Sequence, residues 1–262
     1  MNDLILRHDS GGICTLTLNS PGNLNALSDE MLAALQAQLD DLAGDRDSKV
    51  VVLKGAGKVF CAGHDLKQMT AGRDAADGGA AYFHDLFTRC GHLMQSLTRI
   101  PQPVIAQVHG IATAAGCQLV ASCDLAIATE STRFGVNGIN IGLFCATPMV
   151  ALTRNIGRKQ AFEMLTTGDF ITAERAAELG LINHAVAADG LENAVNALAG
   201  KLAAKMDGAL KIGKSAFYDQ LQLPLDQAYD FTAEVMAQNM MMRDTAEGIE
   251  AFLQKRDPDW KT

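Results

Sequence analysis

Apolar and polar positions form clear periodic patterns in the first part of the chain. From Ile13 to Leu18 they alternate, which predicts a half-buried β-strand. Ser28 is then a good helix N-cap, and Asp29 and Glu30 follow in the first turn, where the helix dipole favours negative charge. Four leucines continue at helical spacing: Leu32, Leu35, Leu39 and Leu42.

Further short apolar runs predict a sheet whose strands are separated by helices. Residues 50–53 and 103–108 are typical of buried strands, and residues 119–128 hold the end of a helix and another strand. The order is strand, helix, strand, loop, helix, strand, helix, strand. This order favours an α/β core with crossover connections.

The pattern changes after about Thr147, where Ala, Leu, Glu and Lys dominate. The last third is therefore predicted to be mostly helical, with Asp257-Pro258 ending the final helix. Residues 70–81 are rich in Gly, Asp and Ala and predict a polar loop, either a lid or a passive connection. The predicted helices cover residues 172–179, 191–206, 225–242 and 246–256.

Charge and cysteine content narrow the class of protein. The net charge is -8 over 262 residues, without a basic patch, which disfavours nucleic acid or an anionic membrane as a partner. No apolar run reaches transmembrane length, and the first residues lack a signal-peptide pattern. None of the six cysteines forms a CxxC pair, so we expect free buried thiols in a reducing compartment, the cytoplasm. Neither metal-ligand spacing nor a GxGxxG motif occurs, so no metal or redox cofactor is expected.

Two glycine- and alanine-rich turns are the strongest candidates for chemistry. Residues 60–66 and residues 109–119 each follow an apolar strand and lead into a predicted helix. Small side chains let a ligand approach the backbone N–H groups that are free at a helix start. Two such turns, if they converge, make a two-donor oxyanion hole. Tight helix–sheet packing also requires small residues, and the residues alone favour neither interpretation.

A family resemblance favours the first interpretation. The two turns read FCAGHDL and HGIATAAGCQLVASCDLAIA, and they resemble the oxyanion-hole signatures of the crotonase (enoyl-CoA hydratase/isomerase) superfamily. Three later segments also resemble the family, in the right order: FGVNGINIGLF, LTTGDFITAERAAELGLIN and EGIEAFLQKRDPDW. The chain is most similar to the subgroup called enoyl-CoA hydratase domain-containing.

The resemblance implies an α/β crotonase-like spiral of β-β-α repeats over residues 1–200. A C-terminal helical trimerisation region would follow at 201–262. It also implies a homotrimer or a dimer of trimers, and an acyl-CoA thioester as ligand. Coenzyme A would enter as part of the substrate, and no other cofactor is implied.

The resemblance also implies which residues of this sequence occupy the positions of the family's site. The resemblance implies that the backbone N–H groups of His64 and Ala115 are the oxyanion donors. The family usually has glycine at the second position, so Ala115 is suitable only if the backbone there needs no positive φ. For Asp65, capping of a helix is an alternative to contact with the substrate. The implied substrate-binding residues are Asn25, Ala26, Leu27, Ala62, Gly63, Asp65, Gly116, Gln118, Gly138 and Cys145.

The resemblance fails at the acid–base positions. A hydratase of this family uses two glutamates, which would fall at Gln118 and Gly138. An amide does not exchange protons at neutral pH and glycine has no side chain, so efficient hydration is not expected. Restoring both glutamates should raise hydration, provided that the backbone at position 138 accepts a side chain.

Two other residues are candidate catalytic groups. His84 lies off the apolar stripe of the predicted helix after the polar loop, and it would be a general base if that helix borders the acyl pocket. Cys145 is a candidate nucleophile. An exposed surface histidine and a buried, inert thiol are the favoured interpretations of these two residues.

Three functions are consistent with these observations. The first is a lyase- or isomerase-type enzyme that acts on an acyl-CoA through an enolate or a tetrahedral oxyanion. The second is a non-catalytic, regulatory acyl-CoA-binding protein, which the missing acid–base pair favours. The third is a structural partner subunit, which only the helical C-terminus favours.

Overall fold

The computed structural model describes residues 3–260, which form two β-sheets surrounded by helices. The larger sheet has six strands in the order β1-β2-β3-β4-β6-β9, and the smaller has three in the order β5-β7-β8. Among the strand pairs in residues 3–260, only β1–β2 and β7–β8 are antiparallel. The strands are β1 (Ile5–Ser10), β2 (Ile13–Leu18), β3 (Val50–Gly55), β4 (Val104–Val108), β5 (Ile111–Thr113), β6 (Leu125–Thr129), β7 (Arg133–Gly135), β8 (Ile171–Thr172) and β9 (His184–Val186).

Eleven α-helices are present in residues 3–260, and seven of them lie after residue 145. The predicted α/β class is thus confirmed, as is the helical character of the last third. The helices are α1 (Asp29–Gly44), α2 (Leu66–Gly72), α3 (Ala80–Arg99), α4 (Ala115–Ser122), α5 (Ala146–Asn155), α6 (Arg158–Thr167), α7 (Ala173–Leu179), α8 (Leu191–Ala203), α9 (Asp207–Gln220), α10 (Leu225–Met240) and α11 (Arg243–Gln254).

Successive turns of the chain repeat one arrangement. A strand of the large sheet is followed by a strand of the small sheet and then by a helix, as in β4, β5 and α4. The next turn begins in the same way with β6 and β7. This is the predicted spiral of β-β-α repeats, and it places the start of α4 directly after the small sheet.

The first elements form where the hydrophobic pattern predicts them. Strand β2 covers the predicted Ile13–Leu18, with Cys14, Leu16 and Leu18 buried. The hydroxyl of Ser28 accepts a hydrogen bond from the amide of Met31 at 3.1 Å, which caps α1. The four leucines predicted on its inner face are all buried. Local pattern and tertiary packing therefore agree in this region.

The opposite face of the large sheet is covered by α8. Val50, Val52, Ile105 and Ile127 on the strands form one buried cluster with residues of that helix, among them Val195. Because both faces are covered, the strands of this parallel sheet are apolar without strict alternation. That explains why residues 50–53 appear in the sequence as a continuous apolar run.

Some predicted elements differ from the structure. The polar loop expected at 70–81 is shorter, because α2 extends to Gly72 and α3 begins at Ala80. Asp65 caps α2, and the ring of Tyr82 packs against Gly72, so tertiary contacts hold a segment of weakly helical composition. Strand β1 was not predicted because its inward side chains are few; it is held by antiparallel pairing with β2.

A buried cation on α9 joins the C-terminal helices to the core. The ammonium group of Lys214 on α9 donates to the carbonyl oxygens of Leu97 and Gln102 and to the carboxylate of Asp124, at 2.7–2.8 Å. The hydroxyl of Tyr218 also donates to Asp124, at 2.7 Å. A buried charge is stable only when it is paired in this way. The predicted boundary at residue 200 lies within the last turn of α8 (Leu191–Ala203), the helix that covers the sheet, and α9 follows it.

Candidate active site

The first small-residue turn is held between two neighbouring segments. Cys61 forms a parallel bridge with Ala112, and His64 forms one with Leu27. The amide of Ala62 donates to the carbonyl oxygen of Leu24 at 3.1 Å. The backbone of this turn is therefore fixed before any ligand arrives.

Asn25 supports this turn from below. Its side chain is fully buried: Oδ1 accepts from the amide of Ser20 at 2.9 Å, and Nδ2 donates to the carbonyl oxygens of Ala56 and Val59 at 2.8 and 2.9 Å. The side chains of Ala26 and Leu27 are also buried. These three residues, predicted to bind coenzyme A, are therefore packed against the first turn, and their side chains are not open to a ligand.

The second turn begins α4 with an unusual backbone. Ala114 has φ 51° and ψ -119°, in the region that favours glycine, and its amide donates to the carbonyl oxygen of Gly135 at 2.9 Å. Ala115 is the first helical residue and is absent from the positive-φ positions. The condition for an alanine at position 115 is therefore met, because the strain falls one residue earlier.

The two turns interlock through two glycines. A Cβ on Gly116 would overlap the carbonyl oxygen of Cys61, and a Cβ on Gly63 would lie 3.0 Å from the Ala114 Cβ and 3.4 Å from the Ala115 nitrogen. The amide of Thr113 also donates to the Cys61 carbonyl oxygen, at 3.1 Å. Close backbone approach, rather than turn formation alone, accounts for the small residues here.

Interlocking brings two free backbone donors together. The amides of His64 and Ala115 donate to no group in residues 3–260, whereas those of Ala62, Thr113 and Ala114 in the same turns do. Unpaired backbone N–H groups away from solvent are rare, so a pair of them in adjoining turns indicates a site for an acceptor. This is the arrangement required of a two-donor oxyanion hole.

Gln118 lies one helical turn after Ala115. Its side chain is 4% exposed, and its Oε1 is buried without a hydrogen-bond partner in the described chain. A carboxamide neither gives up nor takes a proton at neutral pH. It could therefore accept a hydrogen bond from a ligand, but it supplies no acid–base catalysis.

Gly138 is held tightly by the segment that follows it. A Cβ at this position would overlap the carbonyl oxygen of Leu143 and lie 2.8 Å from Cys145 Sγ. The amide of Leu143 also donates to the Gly138 carbonyl oxygen, at 3.0 Å. The condition for restoring a glutamate here, a backbone that accepts a side chain, is therefore not met.

Cys145 is a buried thiol at the start of α5. Burial raises the pKa of this thiol, and the amide of Gly138 only partly opposes the rise. The group stays protonated at neutral pH, as an inert thiol does. All six cysteines are free and buried, which confirms the prediction of buried free thiols.

The His64 side chain packs inward, next to its own free amide. Its Nδ1 lies 3.4 Å from the Leu27 carbonyl oxygen, and its ring meets Phe87 edge-on at 5.6 Å. Burial lowers the pKa of the imidazole below 6.5, so the ring is neutral at pH 7. Nε2 is buried without a partner in the described residues, which makes it a second unsatisfied polar atom near the free amides.

Asp65 and His84 have different surroundings. Asp65 accepts hydrogen bonds from Asn23 Nδ2 at 2.6 Å and from the amide of Lys67 at 2.8 Å, and it caps α2. Burial raises the pKa of Asp65, but these hydrogen bonds and that of the Gln68 amide outweigh it and lower the pKa overall. His84 is exposed on α3.

Two features of the site were not predicted from sequence. The strained backbone of Ala114 gives no signal, since one alanine of the pair at 114 and 115 looks like the other. The hydroxyl of Thr113 donates to Asn137 Oδ1 at 2.6 Å and joins the second turn to the segment that carries Gly138. Only a tertiary contact reveals that pairing, because 24 residues separate the partners.

Other kinds of site are not apparent in residues 3–260. No group of three or more His, Cys, Asp or Glu side chains is arranged to hold a metal ion. None of the described helices is both long enough and apolar enough to cross a membrane. Two surface depressions, one along α6 and one beside β9, include no predicted site residue.

Comparisons with known proteins agree with this fold and site. Residues 8–262 match the family model Enoyl-CoA hydratase/isomerase. The chain is 43% identical to human enoyl-CoA hydratase domain-containing protein 3, mitochondrial, over 95% of this chain and 80% of that protein. It is 34% identical to 2,3-dehydroadipyl-CoA hydratase of Escherichia coli, over 100% of this chain and 99% of that one.

Solved structures are similar to this chain as well. A crystal structure of enoyl-CoA hydratase from Mycobacterium smegmatis superposes with a TM-score of 0.95 at 51% identity, over the whole of both chains. The crystal structure of human enoyl Coenzyme A hydratase domain-containing protein 3 gives 0.90 at 41% identity, over 98% of this chain and 100% of that one. The predicted resemblance to that subgroup is confirmed.

One expectation is contradicted by these relatives. Several of the most similar ones, from frog, rat and human, are named as mitochondrial proteins, which conflicts with the expected cytoplasmic location. Free thiols identify a reducing environment, and that does not distinguish one intracellular compartment from another. The folded repeats, the two interlocked turns and the match over nearly the whole length lead to one conclusion: the chain belongs to the enoyl-CoA hydratase/isomerase family.

Proposed function

We propose that the protein binds acyl-CoA thioesters with the thioester carbonyl oxygen at the amides of His64 and Ala115. It stabilises the negative charge that develops on that oxygen in an enolate or a tetrahedral intermediate. The observation that carries this proposal is the pair of unpartnered amides in two interlocked turns. Two donors held rigidly in advance stabilise charge without reorganisation during the reaction.

We expect this site to catalyse the hydration of enoyl thioesters poorly. Adding water to an enoyl thioester requires an acid and a base near the β-carbon, and the two family positions hold Gln118 and Gly138. General acid–base help contributes about 10² to 10⁴-fold per group, and groups that act together do not lose rate additively. The remaining rate comes from the oxyanion hole and from positioning.

A non-catalytic acyl-CoA-binding protein is the second candidate. It is favoured by the absence of a titrating side chain at position 118 and by the tight packing around Gly138, which leaves no room for one. In this case the site would bind the thioester and release it unchanged. Of the other candidate groups, His84 is exposed and Cys145 is a protonated thiol.

Two measurements separate these functions. Calorimetry with butanoyl-CoA tests binding, and turnover of a panel of acyl-CoA esters tests catalysis. We expect binding together with crotonyl-CoA hydration far below about 10 per second, an ordinary enzyme rate. Absence of binding to every CoA ester would contradict both functions, and an ordinary hydration rate would contradict our assignment of the acid–base positions. In the latter case, a fall in rate for His84→Ala without loss of binding would identify His84 as the base.

We also propose that the protein forms a homotrimer or a dimer of trimers through its C-terminal helices. These helices expose large apolar side chains that a monomer would leave in water. Size-exclusion chromatography with light scattering at micromolar concentration should give three or six times the chain mass; a monomer would contradict this. The most exposed apolar residues there are Leu225, Tyr229, Met236, Met241, Phe252 and Leu253.

A further inference from the structure

The side chain of His64 has an unused ring nitrogen close to the free amide of the same residue. In residues 3–260 the ring makes one polar contact, 3.4 Å from Nδ1 to the carbonyl oxygen of Leu27. Because a carbonyl oxygen only accepts, we assign the proton to Nδ1, and this leaves a lone pair on Nε2. No group in the described chain donates a hydrogen bond to Nε2.

An unused imidazole nitrogen differs in kind from an unused amide oxygen. In residues 3–260, Gln38, Gln102 and Gln118 also have a buried Oε1 without a partner, but a carboxamide is not basic at neutral pH. An imidazole takes up a proton near neutral pH and gives it back. Of these four side chains, His64 is therefore the one that can transfer a proton.

The surroundings of the His64 ring suit a base. Burial lowers the pKa of the imidazole below 6.5, so the lone pair is free at pH 7. The Leu27 carbonyl oxygen and the carboxylate of Asp29 on α1 oppose this shift, and both stabilise the imidazolium once it forms. Arg89 on α3 favours the neutral ring, but its charge is paired with Asp29, Nη2 to Oδ1 at 2.6 Å.

The other titratable side chains predicted for the binding site are less suitable. Burial raises the pKa of the Cys145 thiol, which is therefore protonated at neutral pH. Burial alone would raise the pKa of the Asp65 carboxyl, but hydrogen bonds from Asn23 and from the amides of Gln68 and Lys67 lower it overall. A carboxylate with a lowered pKa is a weak base.

Covalent geometry places the His64 ring within reach of an acyl group. A thioester oxygen bonded to the His64 amide lies about 2.9 Å from the backbone nitrogen, and its α-carbon then lies within about 5 Å of that nitrogen. Nε2 is itself within about 6 Å of the same nitrogen, because three side-chain bonds and the ring join them. The 3.4 Å contact with Leu27 is longer than a normal hydrogen bond, so turning the ring toward a ligand loses little.

We propose that the His64 imidazole removes a proton from the α-carbon of a bound acyl-CoA, so that the protein catalyses enolisation and exchange of the α-protons. This inference rests on the proposed function, because it needs the thioester carbonyl at the amides of His64 and Ala115. One residue would then bind the oxygen through its backbone and act on the neighbouring carbon through its side chain.

The step balances without a further reactant. Nε2 takes the α-proton, and the electrons of the broken C–H bond form the carbon–carbon double bond of the enolate. The carbonyl π-electrons move to the oxygen, where the two amides stabilise the charge. The imidazolium exchanges its proton with solvent and returns one to the same carbon.

Deuterium uptake by butanoyl-CoA in heavy water tests the inference, with mass spectrometry following the α-carbon. We expect exchange faster than without protein, and a fall of about 10² to 10⁴-fold in His64→Gln, the contribution of one general base. By calorimetry, His64→Gln should bind butanoyl-CoA about as tightly as the unmodified protein, because the backbone amide remains. His92→Gln is the matched control: this histidine is exposed on α3, and its loss should leave exchange unchanged.

Two further readouts separate a base from a structural role. Exchange by the unmodified protein should fall on acidification with a midpoint below pH 6.5, as His64 takes up a proton. Added imidazole should restore part of the exchange in His64→Ala, where the ring is missing.

Three results would overturn the inference while leaving thioester binding intact. They are binding without exchange above the protein-free rate, undiminished exchange in His64→Gln, and an exchange rate that stays constant on acidification through and below pH 6.5. The last result needs no variant, so it decides even if His64→Gln fails to fold. If no CoA ester binds the unmodified protein, both the inference and the proposed function are wrong.

Discussion

The two ends of the candidate site are built differently. At one end, interlocked turns present the amides of His64 and Ala115. At the other end, position 118 carries a neutral carboxamide and position 138 has no side chain. The first end depends on backbone, so it persists when side chains change, provided that Gly116 stays small. The second end depends on side-chain chemistry, and neither the carboxamide at 118 nor the glycine at 138 transfers a proton at neutral pH. Under the proposed function, ligand class and reaction type are therefore encoded separately: the backbone turns would bind the thioester, and the side chains would determine what happens to it.

The largest expected effect comes from separating the two turns that present the His64 and Ala115 amides. In Gly116→Ala the new Cβ would overlap the Cys61 carbonyl oxygen, so the turns must separate. We expect destabilisation of about 3 kcal/mol, as for a badly overpacked site, and loss of measurable butanoyl-CoA binding. Urea unfolding and calorimetry measure the two effects.

The same substitution in an open place is its control. Gly91 lies within α3, and a Cβ there would meet nothing within 4 Å. Gly91→Ala should leave binding unchanged and stabilise the fold by about 0.5–1 kcal/mol, because alanine is the better helix former. Normal binding by Gly116→Ala would show that close approach of the two turns is not required.

The second prediction concerns the other end. Gln118→Glu with Gly138→Glu should fail to create an efficient hydratase, because the segment around Leu143 and Cys145 occupies the space of a side chain at 138. Gly138→Ala alone should destabilise the protein by about 2 kcal/mol in urea unfolding. Gly200→Ala on α8, where a Cβ meets nothing within 4 Å, is its control and should not destabilise. A stable double variant that hydrates crotonyl-CoA at enzyme rates would contradict the closed packing at 138.

The third prediction tests the backbone strain at Ala114, in the second of the two turns. Ala114→Gly should stabilise the protein by about 1 kcal/mol, since glycine adopts φ 51° and ψ -119° without strain. Ala121→Gly in the interior of α4 should instead destabilise it by about 1 kcal/mol. The thermal midpoints of the two variants should move in opposite directions; destabilisation by both would show that Ala114 is not strained.

The smallest effect is a pH dependence of stability. Burial lowers the pKa of His64 below 6.5 in the folded state, so between that lowered pKa and 6.5 the unfolded chain binds more protons. The free energy of unfolding should therefore rise with pH through this window and gain nothing more from His64 above it. His64→Gln should flatten this part of the profile, while His84→Gln on the exposed face of α3 should not. Identical slopes for both variants would exclude His64 as the cause.

The sequence predicts the regular parts of the fold better than the site's chemistry. Strand β2, the Ser28 cap of α1 and the helical last third follow from local patterns that tertiary packing reinforces. A helix after residue 66, with Asp65 as its cap, was predicted, but its end at Gly72 was not. Helix α9 was missed because a buried ion pair at Lys214 holds it. Such contacts join residues distant in sequence and leave no local signal.

In the candidate site, too, some features have a local sequence signal and others depend on distant contacts. Small residues in both turns predicted two free amides, and the structure places those turns in contact. Three roles in the site depend on neighbours many residues away. Asn25 supports the first turn, Ala114 has the strained backbone, and Gly138 has no room for a side chain. Backbone conformation and burial decide these roles, and residue type alone does not reveal them.

A crystal structure of the protein with butanoyl-CoA tests the central claim most directly, because it locates the thioester carbonyl oxygen. The account predicts that oxygen within about 2.7–3.1 Å of the backbone nitrogens of both His64 and Ala115. A bound thioester whose carbonyl oxygen contacts neither amide would contradict it.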